Sequence, residues 1–141
     1  MLFLDFGAIL NYPSNGEFGI GCCMIQKCSA LAAWLLLLFI AYATLSPIQA
    51  RPTISTSPDF EHLAAFAILG MLFYLAYPRR VALVCLIVLG SAVVLEFSQL
   101  LTPDRHGRIS DALEKLAGGV VGIMAGGALL FLAQARRWFK A

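Results

Sequence analysis

Four long apolar blocks separated by short polar joints organise the chain. Block one runs from Ser29 to Leu45, or to Ala50 if Ser46, Pro47, Ile48 and Gln49 are counted. Block two runs from Phe60 to Tyr77, block three from Val81 to about Leu101, and block four from Ala112 to Ala133. A membrane-spanning helix needs roughly 17–25 residues, and all four blocks fit once their flanks are included. The pattern therefore predicts an all-α integral membrane bundle of about four transmembrane helices.

The joints predict how the helices connect. Ser46-Pro47 closes block one, since proline discourages helix upstream of itself. Residues 51–58, RPTISTSP, form an extended link, after which Ser57 or Asp59 can cap helix two with Pro58 in its first turn. The YPRR link at 77–80 is too short for anything but a tight antiparallel hairpin between blocks two and three. TPDRHGRIS at 102–110 joins blocks three and four, and Ser110 with Asp111 supplies a new N-cap. Residues 1–26 are interrupted by Asp5, Asn11, Pro13, Asn15, Gly16 and Glu17, and read as a weakly structured tail. Met24 offers an alternative start. Lys27 ahead of WLLLLFI, with AYA at 41–43 or IQA at 48–50, also resembles a cleaved signal peptide, but the apolar run is long for that role. The domain itself is expected over residues 28–135, with a basic tail at 136–141.

Composition agrees with the pattern: 60% of the 141 residues are hydrophobic and 13% charged, against about 25% charged in soluble domains. A soluble fold of this size has too little interior to hide four such blocks. Lys27, Arg79, Arg80, Arg136, Arg137 and Lys140 fall on the side of the N terminus, and Arg51, Arg105, Arg108 and Lys115 on the other. Short loops richer in Lys and Arg stay in the cytoplasm, so both termini are expected there. The basic residues form small juxtamembrane groups without interleaved aromatics, which argues against nucleic acid. Cys22, Cys23, Cys28 and Cys85 are expected to be unpaired thiols, lying on the cytoplasmic side or in lipid.

An up-down-up-down bundle brings most non-cytoplasmic ionisable residues to one end. The segments that meet there are Asp59-Phe60-Glu61-His62, Glu96-Phe97-Ser98-Gln99, Asp104-Arg105-His106, Arg108 and Ser110-Asp111. Glu96 lies about one and a half turns below the end of its helix, roughly 8 Å deep. A carboxylate there needs a partner, a proton or a wet cavity. Gln99 shares its face, three residues on. Glu96 is a candidate catalytic or ligand-binding group; the alternative is a structural ion pair with Arg105 or Arg108. His62 is a candidate proton-transfer group near neutrality, or a hydrogen-bond donor to Asp59 or Glu96. Arg105 and Arg108 offer forks suited to phosphate or carboxylate. Asp59, Gln99 and Asp111 complete the ligand-binding candidates, although helix capping alone would account for Asp111. Glu61 and His106 are expected at the surface. Asp59, His62, Glu96 and Asp111 are donor types that suit zinc or manganese, but no compact metal motif is present. No metal or cofactor is expected.

Gly118, Gly122 and Gly126 recur at spacing four on block four, a small-xxx-small face that lets another helix approach closely. Packing within the chain is the simpler use of that face, with a homodimer as the alternative. The glycines lie within an apolar helix, so a phosphate-binding loop is excluded.

These segments resemble the VanZ-like membrane family. The resemblance runs through DFEH at 59–62, EFSQLLTPDR at 96–105 and RISDALEKLAGGVVG at 108–122, within residues 28–135. In that family an Asp and a His open one helix and a Glu-x-x-Gln closes the next. An Arg, a Ser-Asp pair and a glycine-bearing last helix follow. Two positions depart: Glu61 stands where the family often has Lys, and Lys115 where it often has Asn. Lys115 has Asp111 as an i, i+4 neighbour to pair with. The resemblance implies a bacterial inner-membrane setting in the cell envelope, named for teicoplanin resistance, without implying resistance here. The leading expectation is a protein that binds, or also modifies, an anionic lipid or lipid-linked precursor at the outer leaflet. The alternative is a non-enzymatic structural or envelope-stress protein whose polar cluster fastens helices. A transporter is disfavoured, because the inner half of the bundle has no intramembrane charge.

Overall fold

The computed structural model describes residues 19–45, 58–100 and 109–138, all of them helical apart from one turn. Four helices follow one another: α1 Gly19–Leu45, α2 Pro58–Ala76, α3 Val81–Leu100 and α4 Ile109–Trp138. No strand occurs among the described residues. The four apolar blocks are thus four helices, as their pattern predicts.

Two boundaries differ from expectation. α1 begins at Gly19, ahead of the Ser29 start. The polar interruptions all fall at or before Glu17; Gly19 and Gly21 are weak helix formers, but no proline follows to break the helix before Pro47. α4 continues through Arg136 to Trp138, beyond the Ala133 end. Arginine is a good helix former, and no proline or glycine intervenes to end the helix. α2 starts at Pro58, which suits proline at a first helical position. α4 starts at Ile109, so Asp111 lies inside its first turn.

Three helices are long and apolar enough to cross a membrane: Met24–Leu45, Val81–Gln99 and Asp111–Arg136. Only 22–28% of each spanning segment is buried within the protein. The remainder exposes Leu31, Leu38, Phe39, Leu86, Val94, Phe97, Met124 and Phe131, among others. In water that surface would be untenable; in lipid it costs nothing. The shorter apolar stretch, Phe60–Ala76 of α2, touches all three other helices and packs most extensively on α4. α1 and α4 do not touch each other among the described residues.

The core is a stripe from each inner face. α3 contributes Val84, Val88, Ala92 and Leu95; α2 contributes Phe66, Leu69 and Phe73; α1 contributes Ala33 and Ile40. Trp34 of α1 meets Phe73 edge-on at 5.3 Å between ring centroids, and Phe73 stacks on Tyr77 at 6.4 Å. Ser91 donates to the Val88 carbonyl at 2.9 Å and Ser98 to the Val94 carbonyl at 2.8 Å. Each hydroxyl therefore finds an acceptor on its own helix, where lipid would offer none.

The expected hairpin between α2 and α3 is present. The Arg80 N–H donates to the Tyr77 carbonyl at 3.0 Å, closing a four-residue turn with Pro78 at its second position. The Val84 N–H then donates to the Arg80 carbonyl, which starts α3.

Glycines set the α2–α4 contact. A methyl group on Gly118 would strike the Leu63 carbonyl, and one on Gly122 the Ala67 carbonyl. One on Gly126 would meet Tyr74 Cβ at 3.0 Å and the Met71 carbonyl at 3.2 Å. Partner positions rise in step with the glycines, so α2 and α4 run parallel. The expected small-residue face therefore packs within the chain, against α2. Gly70 answers from α2, where a methyl would lie 2.5 Å from the Gly119 carbonyl.

Candidate functional site

The parallel α2–α4 seam and the antiparallel return of α3 bring three helix ends together: the start of α2, the end of α3 and the start of α4. The Leu63 backbone lies against Gly118, so His62 is level with the first turns of α4. α3 packs on α4 from another side, with Val88 close to Gly119.

On α3 the buried series Val84, Val88 and Ala92 continues with Glu96, then Gln99. Helical periodicity thus carries Glu96 and Gln99 inward while Phe97 stays exposed. On α4, Lys115 lies three residues before Gly118 and four before Gly119, on the face that packs inward. It is completely buried. Side chains on a helix lean toward its N terminus, which for Lys115 is toward the end of α3. Its Nζ donates to Glu96 Oε2 at 2.6 Å, an ion pair shielded on both sides.

Of the inner or interfacial position open to Lys115, the structure shows the inner one. Its described ion-pair partner is Glu96, nineteen positions earlier. The sequence offers local i, i+4 pairs directly and nonlocal ones only through packing. The signal for the nonlocal pair was the inward glycine face that Lys115 shares. Removing two charges from water is costly, and their mutual attraction offsets that only with good geometry. Glu96 Oε1 is also buried and accepts no hydrogen bond among the described residues. A buried carboxylate oxygen in that state is an acceptor in want of a donor.

The other candidates are placed more loosely. His62 and Asp111 are half-buried at the same end, and Glu61 is half-buried beside His62. Asp59 is in the first turn of α2, with its side chain outside the described residues. Arg105, His106 and Arg108 also lie outside the described residues. No group of three His, Cys, Asp or Glu side chains converges on a metal-sized site among the described residues. Cys28 is exposed and Cys85 half-buried, both as free thiols.

A small all-α membrane protein with a buried carboxylate–lysine pair at one end of its bundle is the class that this fold and site define. The family model described as VanZ/LLP1 matches residues 8–132, most of the chain. The protein belongs to the VanZ/LLP1 family. No curated protein and no solved structure matches it significantly.

Proposed function

We propose that this VanZ/LLP1 family protein spans a bacterial cytoplasmic membrane with both termini in the cytoplasm. There its polar end binds an anionic lipid or lipid-linked precursor of the cell envelope at the outer leaflet. The observation that supports this reading is Glu96 Oε1, a buried acceptor without a hydrogen bond among the described residues, beside the buried Lys115. Such an oxygen suits a hydroxyl donor, so a headgroup carrying both hydroxyls and phosphate fits best. Arg105 and Arg108 would hold the phosphate through their forked donors. Asp59, His62, Gln99 and Asp111 would line the approach, and His62 or Glu96 would move a proton if the bound lipid is also modified.

The test is co-purification. Wild-type protein in detergent should retain a lipid-linked sugar phosphate detectable by mass spectrometry. Arg105→Ala should lose it, and so should Glu96→Gln. Retention by both variants rejects the reading.

The second reading is purely structural, and one observation favours it: Lys115 is fully buried and bonded to Glu96, as a helix fastener would be. On that reading Glu96→Gln lowers stability and leaves lipid retention alone.

Sidedness rests on Lys27, Arg79, Arg80, Arg136, Arg137 and Lys140 sharing one face. A cysteine placed at position 106 should react with an impermeant thiol reagent in intact cells, and one at 140 should not.

A further inference from the structure

A second site lies at the opposite end of the bundle, where α1 passes the α2–α3 turn. A cleft of about 480 Å³ opens there, lined by Gln26, Lys27 and Ala30 of α1, Ala76 at the end of α2, and the Tyr77–Arg80 turn. That volume is within the usual range of ligand pockets, about 300–1,000 Å³.

Its chemistry is one-sided. Lys27, Arg79 and Arg80 contribute three cations, and no acid lines the cleft among the described residues. None of the three forms an ion pair with another described residue. α3 begins at Val81 with no acidic residue in its first turn. Its opening N–H groups therefore add uncompensated positive potential beside the arginines. Tyr77 and Gln26 supply neutral donors, while Ala30 and Ala76 form an apolar floor.

Position selects the ligand. The cleft lies at the polar end of two membrane-spanning segments. Below it α1 exposes Leu31, Trp34, Leu35 and Leu38 to the hydrocarbon. An anion held by the arginines would thus have an apolar track leading from it into the bilayer. Basic pockets between helices at a membrane boundary are suited to lipid headgroups in this way.

The geometry points to a binding site for the phosphate of an anionic phospholipid, held by Arg79, Arg80 and Lys27, with one acyl chain lying along α1 past Trp34. The site is separate from the Glu96–Lys115 end and stands whether or not that end binds anything.

The test uses Trp34 as a reporter, in full-length protein carrying Trp138→Phe and reconstituted in phosphatidylcholine vesicles. Chain-brominated phosphatidylglycerol, a quencher on contact, is compared with chain-brominated phosphatidylcholine. Phosphatidylglycerol should quench Trp34 at much the lower mole fraction. Each surface cation is worth about a factor of five in attraction to anionic lipid, so the double variant Arg79→Ala/Arg80→Ala should reduce the preference roughly thirtyfold. Arg79→Lys/Arg80→Lys keeps the charge but loses the fork, and should keep part of the preference. Arg136→Ala, which removes an exposed charge from α4, should keep all of it. Equal quenching by the two lipids, or an unchanged preference in the double alanine variant, overturns the proposal. Displacement of phosphatidylglycerol by millimolar inorganic phosphate would mark a free-phosphate site and overturn the lipid assignment.

Discussion

At one end of the bundle a cation is wholly buried and bonded to a carboxylate; at the other, cations stand open around a cleft with no acid among its described lining residues. Lys115 and Arg79 lie in the same chain, yet their surroundings give them opposite parts. Lys115 sits on a helix face drawn inward by glycines and finds Glu96 there. Arg79 sits in the α2–α3 turn at the rim of the cleft beside α1, with both residues of its dipeptide exposed. A charge enclosed by packing bears on whether the fold holds. One left at a rim bears on what the fold attracts.

The contrast can be broken by substitution, and the largest effect is expected at the closed end. Glu96→Ala leaves Lys115 buried without its counter-charge and should lower stability by about 3–5 kcal/mol, read from denaturant unfolding in detergent. Glu96→Leu with Lys115→Met should recover most of that loss, because an apolar pair of similar volume avoids the desolvation cost altogether.

The next effect is expected along the seam. Gly122→Ala drives a methyl into the Ala67 backbone carbonyl, which cannot rotate away. Overpacking of this kind costs about 1–3 kcal/mol. Gly90→Ala sharpens the point, since nothing lies within 4 Å of its added methyl. It should be neutral or stabilising by less than about 1 kcal/mol, from helix propensity alone. Equal losses at Gly122 and Gly90 would refute the close α2–α4 approach.

The smallest effect on stability belongs to the open end. Arg79→Ala should move the unfolding midpoint by no more than about 0.5 kcal/mol allows, even where it alters lipid preference. A large loss there would mean that the arginine holds the turn together.

Uniformly apolar blocks made the helices legible, because lipid imposes one secondary structure on such segments. The inward face of α4 was legible for the same kind of reason: Gly118, Gly122 and Gly126 repeat at a helical interval. Their partner was not. Periodicity names a face and is silent about the neighbour, and α2 has only Ala67 and Gly70 to advertise its half of the seam. Glu96 stood out because a carboxylate flanked by Leu95 and Phe97 demands an explanation. Its bond to Lys115 was hidden, since a chain read linearly offers Lys115 the nearer Asp111. The basic cleft was hidden further, its residues divided between Gln26-Lys27 and the Tyr77–Arg80 turn. Each half alone reads as a sidedness signal.

The parallel register of α2 and α4 bears on biogenesis. Helices leave the ribosome in order, so the α2–α3 hairpin is complete while half of the glycine seam is still unmade. α4 then arrives with an ammonium group inside its own span. Lys115 is the fifth residue of the Asp111–Arg136 span, nearer its end than its centre, so it disfavours insertion by less than the roughly 2.5–3.5 kcal/mol of a mid-helix charge. By then the carboxylate of α3 is already waiting, so the earlier hairpin serves as the docking template on which the final segment is received.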